Sequence, residues 1–125
     1  TSGSVAVAHP VKSLQFARVL EGVHTEFLVS FYSNRVLVVI TQLKKLGTLV
    51  SARRDTTDGP DVYSVSTLLG KRDDPYPTLI ARRLVELVHA RGIELPLLVT
   101  ICLKESTNRM AKAIIAECMA EAFTS

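Results

Sequence analysis

From Val36 to Ile40 the chain reads Val-Leu-Val-Val-Ile, apolar at every position. Successive side chains of a strand point to opposite faces, so a strand here carries aliphatic groups on both. Val36, Val38 and Ile40 share one side, and Leu37 and Val39 the other. Upstream, Leu14–Leu20 and Thr25–Tyr32 predict two strands separated by a turn around Gly22. In the second, Phe27, Val29 and Phe31 alternate with Leu28, Ser30 and Tyr32. Ser33-Asn34 supplies a short turn, because Asn tolerates left-handed backbone angles. The strand Arg35–Leu43 follows, and Lys44-Lys45-Leu46-Gly47 turns into a further strand, Thr48–Arg53. The pattern to this point predicts a meander of antiparallel hairpins.

Beyond it, Asp55–Pro60 has the chemistry of a polar surface loop, and Val62–Leu69 predicts a fifth strand ended by Gly70. After a charged turn-like segment, Lys71–Pro75, a helix is expected from Pro75 or Pro77 to Arg91, capped near Asp73 or Asp74 and stopped by Gly92. Ile80, Leu84, Leu87 and Val88 form its apolar stripe, while Arg82, Arg83, Glu86 and His89 lie off it. Glu94–Leu103 is a sixth strand. A second helix runs from Thr107 to Ala122, capped by Ser106 or Thr107. Its stripe is Met110, Ile114, Cys118 and Ala122, widened by Ala111, Ile115 and Met119. The order β-β-β-β-β-α-β-α predicts an α+β domain, a six-stranded, mainly antiparallel sheet with two helices.

Two helices of roughly four turns cover one face of such a sheet and not both. Leu97–Leu103 and Phe27–Tyr32 also carry apolar side chains on two sides. The uncovered face would therefore exceed the few hundred Å² of apolar surface that monomers usually expose. A second protein surface is the expected cover, with Val36, Leu37, Val38, Val39 and Ile40 as candidate dimer-interface residues. The alternative is a sheet that coils on itself into a half-barrel.

Composition narrows the class. At 125 residues, with 47% hydrophobic and 22% charged residues, the chain reads as one globular domain over residues 13–125, after a flexible lead-in at 1–12. A net charge of +3 gives mild attraction to acidic surfaces and falls short of a nucleic-acid-coating protein. No apolar run is long enough for a helical membrane span. The opening residues lack the basic and apolar regions of a signal peptide, and Thr1–Ser4 fits a tag remnant or a truncated start. Two cysteines, Cys102 and Cys118, fall in different predicted elements. They suit a reducing compartment, the cytosol or nucleus, better than a disulfide framework.

No constellation for catalysis emerges. His9 lies in the lead-in, His24 in a turn and His89 on a helix flank, none with the spacing of a zinc enzyme. Cys102 and Cys118 lack C-x-x-C spacing and are expected to be inert core thiols. Gly70-Lys71 is not a phosphate loop, because Val65 stands where a glycine is needed and Arg72 where Ser or Thr is needed. Asp73-Asp74 is better used in helix capping than as an acid–base pair. The basic doublets Lys44-Lys45, Arg53-Arg54, Lys71-Arg72 and Arg82-Arg83 lack the stacking aromatics of a nucleic-acid site. They fit solvated turns and helix flanks, or contact with an acidic protein. No catalytic residue, metal or cofactor is expected.

The stretch Val36–Ser51, VLVVITQLKKLGTLVS, resembles the central hairpin of the proteasome assembly chaperone 3 family. The shared features are an aliphatic strand, Thr41-Gln42, a Gly-containing turn at Leu43–Gly47, and Thr48–Ser51. Gln15–Ser33 is similar to the family without a gap, including Gly22-Val23. Leu68-Leu69-Gly70 and Lys104-Glu105 resemble the segments that precede its two helices. The likeness runs from Gln15 to Phe123, while the first twelve residues and Arg53–Asp61 have no counterpart. The resemblance implies a six-stranded antiparallel sheet with two helices and a non-enzymatic chaperone. It also implies pairing with the related proteasome assembly chaperone 4 and support for assembly of the proteasome α-ring.

The expected function is therefore a dimeric, non-enzymatic chaperone for the core-particle α-ring. Its partners would be a proteasome assembly chaperone 4-like paralogue, or a second copy in isolation, and proteasome α subunits. Lys44 and Lys45, with Arg53 and Arg54, are the candidate α-subunit contacts, because a charged turn at a sheet end can reach a third protein. A longin- or roadblock-type scaffold of a trafficking or signalling complex is the alternative.

Overall fold

A glycine-assisted reversal sets up the first strand pair. In the computed structural model, which describes residues 12–43, 47–54, 62–70 and 73–122, strand β1 (Lys12–Leu20) pairs antiparallel with β2 (Val23–Phe31). Leu20 faces Val23, so the loop is only Glu21-Gly22. Both loop residues have positive φ, 50° and 78°. That is the requirement of the two-residue turn whose twist matches a hairpin, and glycine meets it without a Cβ penalty. Phe16 and Phe27 face each other across this pair with rings stacked 4.7 Å apart. His24 lies within β2 and not in the turn, with its side chain exposed.

β2 then pairs antiparallel with β3 (Val36–Thr41), across a link at 32–35 in which the Tyr32 N–H donates to the Arg35 carbonyl at 2.9 Å. The next step departs from the predicted meander. β4 (Thr48–Arg54) does not pair with β3. Between them lies β6 (Leu97–Cys102), parallel to β3 and antiparallel to β4. The sheet order is β1-β2-β3-β6-β4-β5, with β5 (Tyr63–Leu69) antiparallel to β4 at the far edge. The sheet is mixed and still mainly antiparallel. The reason is coverage: β6 is apolar on both faces, and a central position with two neighbours suits such a strand best.

Leu43–Gly47 is thus no hairpin turn. It belongs to the connection between β3 and β4, which β6 separates, and residues 44–46, with the Lys44-Lys45 doublet, lie outside the described residues. That connection is tight at its end. A Cβ on Gly47 would lie 2.4 Å from the Ile101 carbonyl oxygen and 2.8 Å from Cys102 Cβ. The Gln42 N–H donates to the Cys102 carbonyl at 2.8 Å, fixing the start of the connection. The lead-in at 1–12 lies outside the described residues except for Lys12, which begins β1. The polar loop at 55–60 also lies outside them.

Helices α1 (Tyr76–Ala90) and α2 (Asn108–Glu121) pack side by side on one face of the sheet. α1 carries Pro77 in its first turn, and Asp74 Oδ1 accepts from the Tyr76 N–H at 3.0 Å. The N-cap position is Pro75, so the aspartate supports the helix start from one residue further out than a cap. For α2 the cap is Thr107, whose Oγ1 accepts from the Met110 N–H at 3.1 Å. The core between layers holds Phe27, Val29, Val36, Val38, Ile40, Val50, Ala52, Leu97 and Val99 from the strands. Ile80, Leu84, Val88, Met110, Ile114 and Cys118 meet them from the helices. Arg18 on β1 ties the sheet edge to α2 through Glu117 at 3.3 Å and Glu121 at 2.7 Å.

Candidate functional site

The same alternation that fills the core leaves a second set of side chains on the opposite sheet face. Register places them in two rows. Leu28 faces Val39, Val39 faces Thr100, and Thr100 faces Leu49. In the adjacent row Ser30 faces Leu37, Leu37 faces Leu98, and Leu98 faces Ser51. Five aliphatic side chains, Leu28, Leu37, Val39, Leu49 and Leu98, thus adjoin across the four central strands. All five are half-buried by their neighbours alone. No helix lies over them among the described residues, and the edge strands β1 and β5 do not pair with each other to close a half-barrel.

The rim of this face is polar. Ser13 and Ser30 share a 3.0 Å hydrogen bond between their hydroxyls, and Ser66 faces Ser51 at the other side. At one end, Tyr32, Asn34, Arg35, Leu37 and Leu98 line a hollow of about 230 Å³. In the middle sits an anomaly. Thr100 is only 8% exposed, yet its Oγ1 has no hydrogen-bond partner among the described residues. Buried hydroxyls normally find one, so this is an unmet polar group in the middle of the open face.

The five candidate interface residues divide in two. Val36, Val38 and Ile40 are at 0% exposure beneath the helices, where no partner reaches them. Leu37 and Val39 lie on the open face. Leu28, Leu49, Leu98 and Thr100 complete the patch and were not singled out from the sequence. Their alternation is readable, but their adjacency depends on the insertion of β6 between β3 and β4.

The basic candidates also separate. Arg53 is exposed on β4 with the parity of Leu49 and Ser51, at the rim of the open face. Arg54 points to the helix side, where its NH1 pairs with Glu94 at 3.0 Å. Its pKa is raised above the ordinary guanidinium value, first by the Tyr63 hydroxyl and then by Glu94. It is structural wiring between β4, β5 and the segment before β6. His89 joins that cluster. Expected on a surface flank, it is 8% exposed, with Nε2 3.0 Å from the Leu95 carbonyl and its ring 5.4 Å from that of Tyr63. The six residues between α1 and β6 fold back over the last helical turn, where the Ile93 N–H donates to the Val88 carbonyl, and cover the imidazole.

No described group of three or more His, Cys, Asp or Glu side chains could hold a metal ion. Cys102 and Cys118 are free and buried, and burial pushes the Cys118 thiol up to about 12. A thiol with that value is a poor nucleophile at neutral pH. No described helix is long and apolar enough to cross a membrane.

Comparison with known proteins agrees with this geometry. The family model for proteasome assembly chaperone 3 matches residues 38–120. A proteasome assembly chaperone 3 from Nematostella vectensis is 33% identical over 112 residues, covering 82% of this chain and 83% of the relative. Those of Bos taurus and Homo sapiens are 35% and 31% identical over 105 and 107 residues, covering 82% and 83% of this chain. Among solved structures, a chain from a chaperone complex for yeast 20S proteasome assembly superposes with a TM-score of 0.55 at 16% identity. It covers 86% of this chain and 93% of its own length, a likeness of fold. By the family match and by these relatives, the chain belongs to the non-catalytic proteasome assembly chaperone 3 family.

Proposed function

We propose that this chain promotes assembly of the proteasome α-ring as a dimer built on the open sheet face. The observation that carries the reading is the Leu28–Val39–Thr100–Leu49 and Leu37–Leu98 patch, aliphatic at its centre and polar at its rim. A sheet of six strands spaced ~4.8 Å apart is ~24 Å wide, on the scale of an interface burying about 800 Å² per partner. A second domain of the same kind offers a matching sheet, and two twisted sheets pack face to face as a sandwich. The hollow beside Leu37 and Leu98 accepts a projecting side chain, and an acceptor or donor across the interface completes Thr100. In the cell the partner is a proteasome assembly chaperone 4-like paralogue; in isolation a second copy takes its place.

The paired chaperone then holds an α subunit in the orientation that suits its neighbours and leaves once the ring is complete. Arg53 at the rim, and Lys44 and Lys45 in the crossing segment, supply charge that speeds encounter and fixes orientation. Action in the cytosol, with the nucleus as a second location, fits two reduced cysteines. Sedimentation at micromolar concentration tests the dimer. Wild type should sediment as a dimer and Val39→Asp as a folded monomer, because an unpaired charge buried in an interface costs about 3–5 kcal/mol. A wild-type monomer would refute the dimer. Pull-down with mass spectrometry should recover α subunits; vesicle-trafficking complexes in their place would favour the scaffold alternative.

A further inference from the structure

The helix layer carries its own unfilled surface, on the opposite side of the molecule from the open sheet face. Between α1 and α2 runs a groove of about 490 Å³. Its apolar part is Leu79 from α1 with Ile115 and Met119 from α2. Leu79 and Met119 are 46% and 44% exposed, large apolar side chains left in water on facing helices. The lining positions keep helical spacing, 79, 82, 83 and 86 on one side and 108, 112, 115, 116 and 119 on the other. Eleven residues of rise on α2 make the groove ~16 Å long, about three turns of a docked helix.

Charge decides what fits. The rim holds three cations, Arg82, Arg83 and Lys112, against one carboxylate, Glu86. That carboxylate is shared: Arg83 NH1 lies 3.1 Å from its Oε1 and Arg82 Nε 3.8 Å from its Oε2. Lys112 takes part in no ion pair among the described residues. Two positive charges are therefore uncompensated around an apolar trough, in a chain whose whole net charge is +3. Nucleic acid is a poor match, because no aromatic side chain lines the groove for stacking. A lipid surface is a poor match too, since it takes a protruding apolar face and not a concave one. An amphipathic helix with aliphatic anchors at i, i+3, i+4 and i+7 fits the trough, and a thioether such as Met119 adapts readily to the anchors of a partner.

We propose that the α1–α2 groove is a docking site for an acidic amphipathic helix of a partner protein. Its anchors fill the Leu79–Ile115–Met119 trough, and its carboxylates meet Arg82, Arg83 and Lys112. The site is separate from the sheet face, so both can be occupied at once, and it does not rest on the dimer reading.

The test uses the full chain and a fluorescent, helix-stapled peptide with leucines at that spacing and glutamates on both flanks. Titration should give saturable binding with amide shifts in the NMR spectrum confined to 79–86 and 108–119. A peptide with glutamine in place of glutamate should bind about tenfold more weakly at low salt, a difference that shrinks as salt rises. Lys112→Glu and Leu79→Ser should each weaken the acidic peptide about tenfold at an unchanged melting temperature, while Val39→Asp leaves its affinity untouched. If Leu79→Ser unfolds the chain, Lys112→Glu alone reads the site. Absence of saturable binding would overturn the proposal, as would equal affinity for both peptides or shift changes mapping to the sheet. Preferential binding to phosphatidylserine vesicles, lost in Lys112→Glu, would assign the groove to a membrane instead.

Discussion

Gln42 shows how one side chain closes several strand ends. Its Nε2 donates to Thr25 Oγ1 at 3.0 Å and reaches Met110 Sδ at 3.2 Å, while its Oε1 accepts the Lys104 N–H at 2.9 Å. The amide thereby joins the ends of β2 and β3 to the link between β6 and α2. Gln42→Ala should cost about 1–3 kcal/mol, because a buried Thr25 hydroxyl and the Lys104 amide lose partners together. Urea denaturation reads that loss. Cys118 makes a different prediction. Its thiol is held neutral up to about 12 against an ordinary value of 9.0. Above pH 9 the unfolded chain releases a proton that the folded chain keeps, so its contribution falls as pH rises from 9 towards 12. The slope in that window is about 1.4 kcal/mol per pH unit. Stability curves of wild type and Cys118→Ala should converge there, and thiol reagents at pH 8 should spare Cys118 until the protein is unfolded.

At the scale of elements, the decisive feature is that β6 lies between β3 and β4, with Gly47 set against its end. A hairpin between β3 and β4 would satisfy both strands locally, yet β6 takes the place between them. Thr48 pairs with Ile101 and Thr41 with Cys102, so the two strands flank the same end of β6. Gly47 makes the passage possible by having no side chain. Gly47→Ala should destabilise by about 1–3 kcal/mol, since the contact lies against backbone that has little room to yield. Thermal unfolding measures this directly. An unchanged melting temperature would mean that the crossing relaxes at no cost.

At the scale of the whole molecule, the described residues leave two faces open, the sheet and the helix groove. The proposed dimer would link stability to concentration. The melting temperature of wild type should rise with protein concentration, and that of Leu37→Asp should not, because association stabilises only the folded state. The α-subunit reading makes its own demand. On that reading, Lys44→Glu with Lys45→Glu should leave folding and sedimentation unchanged. The same pair should slow association with α subunits, with the defect largest at low salt. Association at the wild-type rate in low salt would remove the crossing segment from the contact. Arg53→Glu should show a weaker effect of the same kind, and Arg54→Glu should perturb packing around Glu94 instead.

Periodicity and turn chemistry determined the eight elements in their order, the residues that alternate on each strand and the placement of Gly22 in a turn, and narrowed the cap of α2 to Ser106 or Thr107. They also implied that one face of the sheet lacks a cover, because the count of apolar faces exceeds what two helices bury. These are local or additive properties of the chain, and neighbouring residues suffice to express them. Strand order is neither. Whether β3 meets β4 or β6 depends on which arrangement places a doubly apolar strand centrally and lets Gly47 pass over its end. That competition sets a neighbouring strand against one 61 residues further along the chain, and nothing in the spacing of Lys44-Lys45-Leu46-Gly47 distinguishes a hairpin from a crossing. Only the tertiary structure therefore sorted Val36, Val38 and Ile40 into the core, set Leu49, Leu98 and Thr100 beside Leu37 and Val39, and separated Arg53 from Arg54.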